Sequence, residues 1–308
     1  MSDPGAFRCA AAALRRGDPL VGSAPPARTW LLLEHPGPWR VDAVAGSGID
    51  SGVLGSLTSA AGRRGARILL IRRPGRVSAS PKKRWFLVGP DGTRSAEWAS
   101  DRDLLPAVAA LDDPAREPGR PVAPVAQPLL LVCTHGVHDT CCAMRGRPVA
   151  AALAEYWPDA VWECSHVGGD RFAPNVVVLP DGYYYGQVDP ESAVATVRAH
   201  LAGAVDARWL RGMSAYPPPV QAAVVGAYAR FGPLAPGAVT VVESRRIGPE
   251  GGHGWTEVVE LAVPGEPVGV RAHVLAVRRP EAQLTCRAVR ETPATEYEVT
   301  WSAAGVTG

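Results

Sequence analysis

The sequence predicts an α/β protein in which one order of elements occurs twice and a small α+β region follows. Three observations predict this class. Short apolar runs of strand length alternate with segments of helical pattern. Turns made of Pro, Asp and Gly separate neighbouring runs at matching places in the two halves. From about residue 206 the pattern changes to one helix followed by alternating strands. We therefore expect two β-α-β-β-α units with helices packed on a sheet.

The first unit is predicted within residues 1–115, where a short helix ends at Gly17-Asp18-Pro19 and strands begin afterwards. In order, the expected elements are a helix at 6–16, a strand at 29–34, a helix at 51–63, a strand at 66–72, a hairpin of 84–89 with the residues after Pro90-Asp91-Gly92, and a helix at 101–111.

The second unit is predicted at residues 129–205 and repeats that order. Its expected elements are a strand at 129–133, a helix at 139–156, a strand at 160–166, a hairpin of 175–179 and 183–188 around Pro180-Asp181-Gly182, and a helix at 190–201.

Three pairs of segments support an internal duplication. They are LLLEH with LLLVC, GARILLIRR with DAVWECSHV, and FLVGPDG with VVVLPDG, at offsets of 98, 94 and 90 residues. The first two offsets align His35 with Cys133 and Arg72 with His166. Arg72, Arg73 and Arg76 either present a basic surface to an acidic partner or an anion, or form a solvated strand end.

A linker and a different last region complete the predicted organisation. Residues 116–128 lie in a Pro-rich stretch that cannot sustain a helix, so we expect a linker there. In residues 206–308 the prolines of Tyr216-Pro-Pro-Pro introduce a helix at 220–231. A small antiparallel sheet is expected from strands at 239–247, 255–263, 268–277, 282–289 and 296–301.

Composition excludes some function classes. The net charge of the 308 residues is only +2. The charge of the whole protein therefore does not favour nucleic-acid binding. No run approaches the 18 or so apolar residues of a membrane helix, and the start lacks the pattern of a secretory signal. We therefore expect a cytoplasmic protein without a membrane segment. In a reducing compartment, clustered cysteines favour metal binding or redox chemistry over disulfides.

The main functional signal is residues 133–170, which hold four of the six cysteines and three of the seven histidines. Cys133 ends one predicted strand, Cys142 begins a helix, and His166 ends the next strand, so these side chains leave adjacent strands at one edge. Gly168 and Gly169 allow positive φ and close approach to a bulky group. The pattern indicates a metal centre.

These motifs resemble the sucrase/ferredoxin-like family, which is marked by Cys-x8-Cys followed by His-x-Gly-Gly-His. The resemblance rests on CTHGVHDTCC, SHVGGDRFAPNVVVLP, GYYYGQV, GSAPPARTWLLLEHPGPW and LLIRRPGR, and weakens after about residue 235. It implies a thioredoxin-like ferredoxin domain at 129–205, preceded by a degenerate copy, and a 2Fe-2S cluster. This chain departs from the family pattern at Asp170, where a second histidine is usual.

The resemblance implies that Cys133 and Cys142 bind one iron and His166 the other. The fourth ligand is Asp170 or Cys164, since strand alternation would place Cys164 on the same face as His166. Asp170 has a second reading, in which it pairs with Arg171 or caps the turn. His135 and His138 are expected beside the site, hydrogen-bonded to sulfur or water.

The implied function is single-electron transfer to an unidentified redox partner. Because a metal-bound imidazole is neutral at its ligating nitrogen, the other nitrogen can exchange a proton, so we expect a dependence on pH. Two alternatives are a structural zinc module that binds partners and a thiol-based redox enzyme using Cys141 or Cys142. No CxxC, P-loop or GxGxxG occurs in the sequence.

Overall fold

The fold was analysed in a computed structural model, which describes residues 7–76, 82–113, 123–124, 127–248 and 255–303. The helices are α1 Cys9–Arg16, α2 Ser51–Arg64, α3 Leu105–Asp112, α4 Thr140–Tyr156, α5 Pro190–Leu201 and α6 Pro218–Phe231. The strands are β1 Trp30–Glu34, β2 Arg67–Arg72, β3 Lys83–Gly89, β4 Gly92–Trp98, β5 Ala123–Pro124, β6 Leu129–Cys133, β7 Val161–Cys164, β8 Asn175–Leu179, β9 Tyr183–Gly186, β10 Leu210–Met213, β11 Thr240–Ile247, β12 Thr256–Ala262, β13 Val270–Ala282 and β14 Thr292–Ala303. The α/β class is confirmed.

Contacts divide the chain into two compact units, which we name by their content. The motif unit is Ala27–Val167 with Val176–Gly182, and the terminal unit is Met1–Pro26, Gly168–Asn175 and Tyr183–Gly308. The predicted division at 1–115, 116–128, 129–205 and 206–308 stays a prediction. Most of the predicted linker, residues 116–122 and 125–126, lies outside the described residues.

Strand pairing in the motif unit has the same form in both predicted copies. The strand order is β8-β6-β7-β2-β1-β3-β4-β5. β1 pairs with β2 in parallel and with β3 antiparallel, and β6 pairs in parallel with β7 and antiparallel with β8. β2 and β7 join the copies antiparallel, with Ile71 opposite Cys164 and Arg72 opposite Glu163. The register differs, however: Leu31 pairs with Ile68, whereas Trp162, which the offsets align with Ile68, pairs with Leu131 and not with Leu129. The predicted duplication stays a prediction.

Capping residues explain where helices of the motif unit begin and end. The Asp50 carboxylate accepts hydrogen bonds from two N–H groups of the first turn of α2, and Gly65 ends α2 at φ 62°. The predicted helix at 101–111 is instead a 3-10 turn, Asp101–Leu104, followed by α3. Pro106 explains this difference, because proline is tolerated in the first helical turn and not inside.

The strand predicted at 160–166 is shorter than expected and ends at Cys164. The Ser165 N–H still donates to the Leu70 carbonyl, at 2.8 Å. The Leu70 N–H, however, donates to the Ser165 hydroxyl, at 3.0 Å, in place of a backbone carbonyl of the neighbouring strand. The Ser165 side chain therefore replaces a backbone partner, and the regular ladder ends at Cys164, two residues before His166.

A hydrophobic core in the motif unit lies between α2, α3 and the sheet. The alternate strand residues Leu31, Leu33 and Trp85 are buried in it together with Leu57 of α2 and Leu104. Burying side chains of this size contributes about 1.5–3 kcal/mol each, so the first predicted copy has its own substantial core.

The terminal unit contains a four-stranded antiparallel sheet, in the order β11-β12-β13-β14, and an antiparallel pair of β9 and β10. The strand predicted at 282–289 is wrong, because β13 continues to Ala282 and residues 283–291 form no strand. The Arg279-Pro280 step lies at a register shift between Arg278 and Glu281. Such an irregularity accommodates a proline without ending the ladder. β10 was not predicted.

No helix in the described part of the chain combines the length and apolar character that crossing a bilayer requires.

Candidate metal centre

The motif unit brings three of the predicted ligands together. Cys133 is the last residue of β6, and Cys142 lies in the first turn of α4, which begins after the capping residue Asp139. His166 follows β7. Because β6 and β7 are parallel, their carboxyl ends meet at one edge of the sheet. One ligand atom from each of Cys133, Cys142 and His166 lies within 4.8 Å of the others.

Electrostatics at this edge favour the metal-binding form of Cys133. The hydrogen bond with the Cys142 thiol, together with a hydrogen bond and the charge interaction with His166, holds the pKa of Cys133 well below its ordinary value despite burial. The Cys133 side chain is 1% exposed. Two buried cysteines and an imidazole form a possible metal ligand set, because thiolates and neutral imidazoles bind transition metals.

His135 holds the backbone of His166 and is not free to ligate. Its Nε2–H donates to the Arg40 carbonyl at 2.7 Å, and its Nδ1 accepts from the His166 N–H at 3.3 Å. Both ring nitrogens are therefore hydrogen-bonded, and these partners assign the neutral tautomer that carries its proton on Nε2. Burial lowers the pKa of His135, and this favours the neutral ring. The predicted contact of the ring with sulfur or water is replaced by a contact with backbone.

His138 lies flat against His166. The two ring centroids are 3.8 Å apart with an angle of 21° between the planes. His138 Nδ1 also lies 3.4 Å from the Val41 carbonyl oxygen. Val41, Ala43 and Ile68 line a cleft together with the three histidines. The cleft therefore reaches the imidazole of the candidate centre, whereas Cys133 and Cys142 do not line it.

Cys164 is buried at the end of β7, directly opposite Cys133 in the parallel ladder. It is not in the group of Cys133, Cys142 and His166, nor in any other group of possible metal ligands among the described residues. Burial raises the pKa of Cys164 well above its ordinary value, and the charge of Cys133 adds to the effect. Strand alternation does not reach His166, because β7 ends at Cys164. The proposed ligation by Cys164 stays a prediction.

Asp170 belongs to the terminal unit, where it begins the 3-10 turn Asp170–Phe172 and is buried. Gly168 and Gly169 precede it with φ of 89° and 80°, as predicted. The close neighbour that requires Gly169 is Arg211, whose guanidinium a Cβ would meet. Ligation by Asp170 stays a prediction.

Arg211 organises this glycine loop within the terminal unit and was missed by sequence reasoning. It is fully buried and donates to the Gly168 carbonyl at 2.9 Å and to Asn175 Oδ1 at 2.7 Å. Its Nε donates to the Ser23 hydroxyl at 3.1 Å. No local signal distinguishes Arg211 from the other arginines, because its partners lie far away in the sequence.

The first copy supports the site through residues of β2. The Arg67 guanidinium donates to the Val167 carbonyl at 3.1 Å. Arg72 is buried and forms an ion pair with buried Glu163 at 2.7 Å. The same carboxylate oxygen accepts from the Thr134 hydroxyl at 3.0 Å, so the pair contacts the residue that follows Cys133.

These contacts correct both readings of the arginines around residue 72. Arg72 is neither a docking surface nor a solvated strand end, because it is paired inside the unit. Arg73 lies 3.7 Å from the ring centroid of Trp162, and its Nη1 donates to the carbonyls of Pro158, Asp159 and Val161. The side chain of Arg76 lies outside what the structure describes.

The fold and the site define an α/β protein with a candidate centre of two cysteines and one histidine that can bind metal. The family model described as sucrase/ferredoxin-like matches residues 20–212, and the chain belongs to this family. None of the curated proteins compared with the chain matches it.

Three matching solved structures are of a thioredoxin-like [2Fe-2S] ferredoxin from Aquifex aeolicus. The ferredoxin itself is 26% identical, with 30% of this chain and 97% of that chain covered and a TM-score of 0.26. Two cysteine-to-serine variants of that ferredoxin are 26% and 28% identical to this chain. Each match covers 27% of this chain and 97% of the variant, with a TM-score of 0.25.

Proposed function

We propose that this protein transfers single electrons and carries a 2Fe-2S cluster held by Cys133, Cys142, His166 and a fourth ligand, Asp170 or Cys164. The observation that carries the proposal is the convergence of two thiols and an imidazole within 4.8 Å at one sheet edge. Family membership agrees with it. The donor set fits, because mixed thiolate and imidazole ligation occurs in 2Fe-2S centres.

In this proposal the chain supplies a rigid, partly buried pocket. The lowered pKa of Cys133 favours its metal-binding form, and His135 orients His166 through its backbone. When bound, a 2Fe-2S cluster supplies a reversible one-electron couple. The cleft beside the histidines is where an unidentified redox partner would approach. The expected link between electron transfer and protonation is checked by measuring the midpoint potential at several pH values.

Visible absorption and EPR spectra before and after dithionite, with iron, sulfide and zinc analysis, test the proposal. We expect a coloured protein with two irons and two sulfides per chain, and a rhombic signal after reduction. Cys133→Ser and Cys142→Ser should lose most of the iron. Cys141→Ser is the matched control, because Cys141 is the buried neighbour of Cys142 and is not in this ligand group. Spectra of Asp170→Ala and Cys164→Ala then identify the fourth ligand.

Zinc is the second candidate, since donors this close together can also bind one tetrahedral ion. It predicts a colourless protein with one zinc and no iron, including after reconstitution with iron and sulfide. A thiol-based enzyme is disfavoured by burial, because Cys133, Cys141 and Cys142 are each at most 2% exposed. Reactive cysteines need an accessible thiolate. If the metal-free protein reduced disulfides, that result would contradict the proposal that the protein carries a 2Fe-2S cluster.

A further inference from the structure

Two cysteines from opposite ends of the chain meet within the terminal unit. The sulfurs of Cys9 and Cys286 are 3.5 Å apart, although the residues are separated by 277 positions. Cys9 begins α1, and Cys286 lies between β13 and β14. The Cys9 N–H also donates to the Cys286 sulfur at 3.4 Å. The Cys286 sulfur is therefore bound by both the backbone N–H and the thiol of Cys9.

We infer that Cys9 and Cys286 form a reversible disulfide, a redox modification site that does not depend on the proposed cluster. A disulfide has an S–S length of about 2.05 Å, so the two sulfurs, which already lie 3.5 Å apart, need to approach by about 1.5 Å to form the bond. The oxidant would be a low-molecular-weight disulfide of the glutathione class.

The difference in exposure between the two cysteines gives an order to the reaction. Cys286 is partly exposed, whereas Cys9 is fully buried. The Cys286 thiolate attacks one sulfur of the small disulfide, whose S–S bond breaks and releases one thiolate. The Cys9 thiol then attacks the Cys286 sulfur and releases the second small thiolate, which takes up the Cys9 proton. Two protein thiols are oxidised and one small disulfide is reduced to two thiols.

The position of Cys286 favours the first step. Its sulfur accepts the N–H of the first residue of α1, whose N-cap residue, Arg8, makes no capping hydrogen bond with its side chain. Thiolates are stabilised at helix N-termini, because the backbone N–H groups and the helix dipole favour negative charge there. The Cys9 N–H at the start of α1 would therefore stabilise negative charge on the Cys286 sulfur when this thiol reacts.

The disulfide would restrain the terminal unit near Asp170. Beyond α1, Asp18 pairs with Arg16 at 2.8 Å and with Arg171 at 3.4 Å. Arg171 lies in the turn Asp170–Phe172. A covalent bond at the start of α1 thus fixes a helix whose other end is joined by ion pairs to this turn.

The test is an equilibrium titration of the full chain with reduced and oxidised glutathione, followed by alkylation, trypsin digestion and mass spectrometry. Cleavage at Arg8 and Arg15 releases Cys9 without a second cysteine, and cleavage at Arg287 separates Cys286 from the chain end. We expect a peptide linking Cys9 to Cys286 in the oxidised protein, which disappears after reduction.

Hydrogen exchange of the whole chain gives an independent readout. Oxidation should slow amide exchange in α1 and in Asp170–Phe172 of the wild-type chain and leave it unchanged in Cys286→Ser, which replaces the partly exposed member. Recovery of both cysteines as separate glutathione adducts or unmodified thiols in excess oxidised glutathione would overturn the inference. So would a disulfide that joins either one to another cysteine.

Discussion

Glu163 has one carboxylate oxygen that binds both Arg72 and Thr134 inside the motif unit. Removing one partner of a buried ion pair leaves the other charge unpaired at a cost of about 3–5 kcal/mol. We therefore expect Arg72→Met to lower the free energy of unfolding by about 3 kcal/mol, measured by urea denaturation. Adding Glu163→Gln to it should restore much of the loss. Additive losses in the double variant would contradict a direct pairing.

His135 is predicted to be a positioning residue for His166. His135→Phe keeps a ring of similar shape but leaves the Arg40 carbonyl and the His166 N–H without their partner. We expect a loss of about 2 kcal/mol in stability and a weakening of metal affinity by about 10-fold to 100-fold.

Chelator competition and urea denaturation together measure the two effects of His135→Phe. His138→Phe is the matched control, because His138 is only partly buried and a phenyl ring can keep the stacking on His166. A metal affinity in His135→Phe equal to that of the wild type would show that the hydrogen bond to the His166 backbone has no role in ligand placement.

At the scale of single elements, α5 offers a test of helix capping. The Asp189 carboxylate accepts the Ser192 N–H at 2.7 Å, and this hydrogen bond lowers the pKa of Asp189. A depressed folded-state pKa adds stability above the unfolded value of about 3.9, and that stability is lost as the pH falls through the folded value. The contribution is small because Asp189 is exposed.

We expect Asp189→Ala to lose about 1 kcal/mol at pH 7. Asp189→Asn keeps an uncharged acceptor, so it should lose less and show a smaller drop in stability below about pH 4 than the wild type. Urea denaturation at several pH values measures both effects. An identical acid dependence in Asp189→Asn and the wild type would assign the drop to other carboxylates.

The elements also show which signals in the sequence are reliable. β6 and α5 occur with the predicted bounds, because an apolar run and an Asp-Pro helix start are local features. The strand predicted at 282–289 failed because the pairing of β13 with β14 continues past Pro280 to Ala282, and residues 283–291 form no strand. Local propensity decides short elements, and pairing between strands decides long ones.

At the scale of the whole molecule, the predicted domain 129–205 can be tested as an isolated fragment. In the full chain, β7 pairs with β2, and Trp162 packs edge-on against Phe86 with centroids 5.5 Å apart. The fragment loses both contacts and exposes a buried strand edge, so we expect no cooperative thermal transition by circular dichroism. A cooperative transition in the fragment would support the predicted boundaries at 129 and 205.

The sequence by itself determined the α/β class, the family, the order of most elements and the group of Cys133, Cys142 and His166. These depend on periodicity, turn residues and motif spacing, which are written within short windows. Only the tertiary structure decided the partners across long separations, such as His135 with Arg40 over 95 residues and Cys9 with Cys286 over 277. Such contacts are selected by packing and charge summed over the folded chain, so no local pattern encodes them.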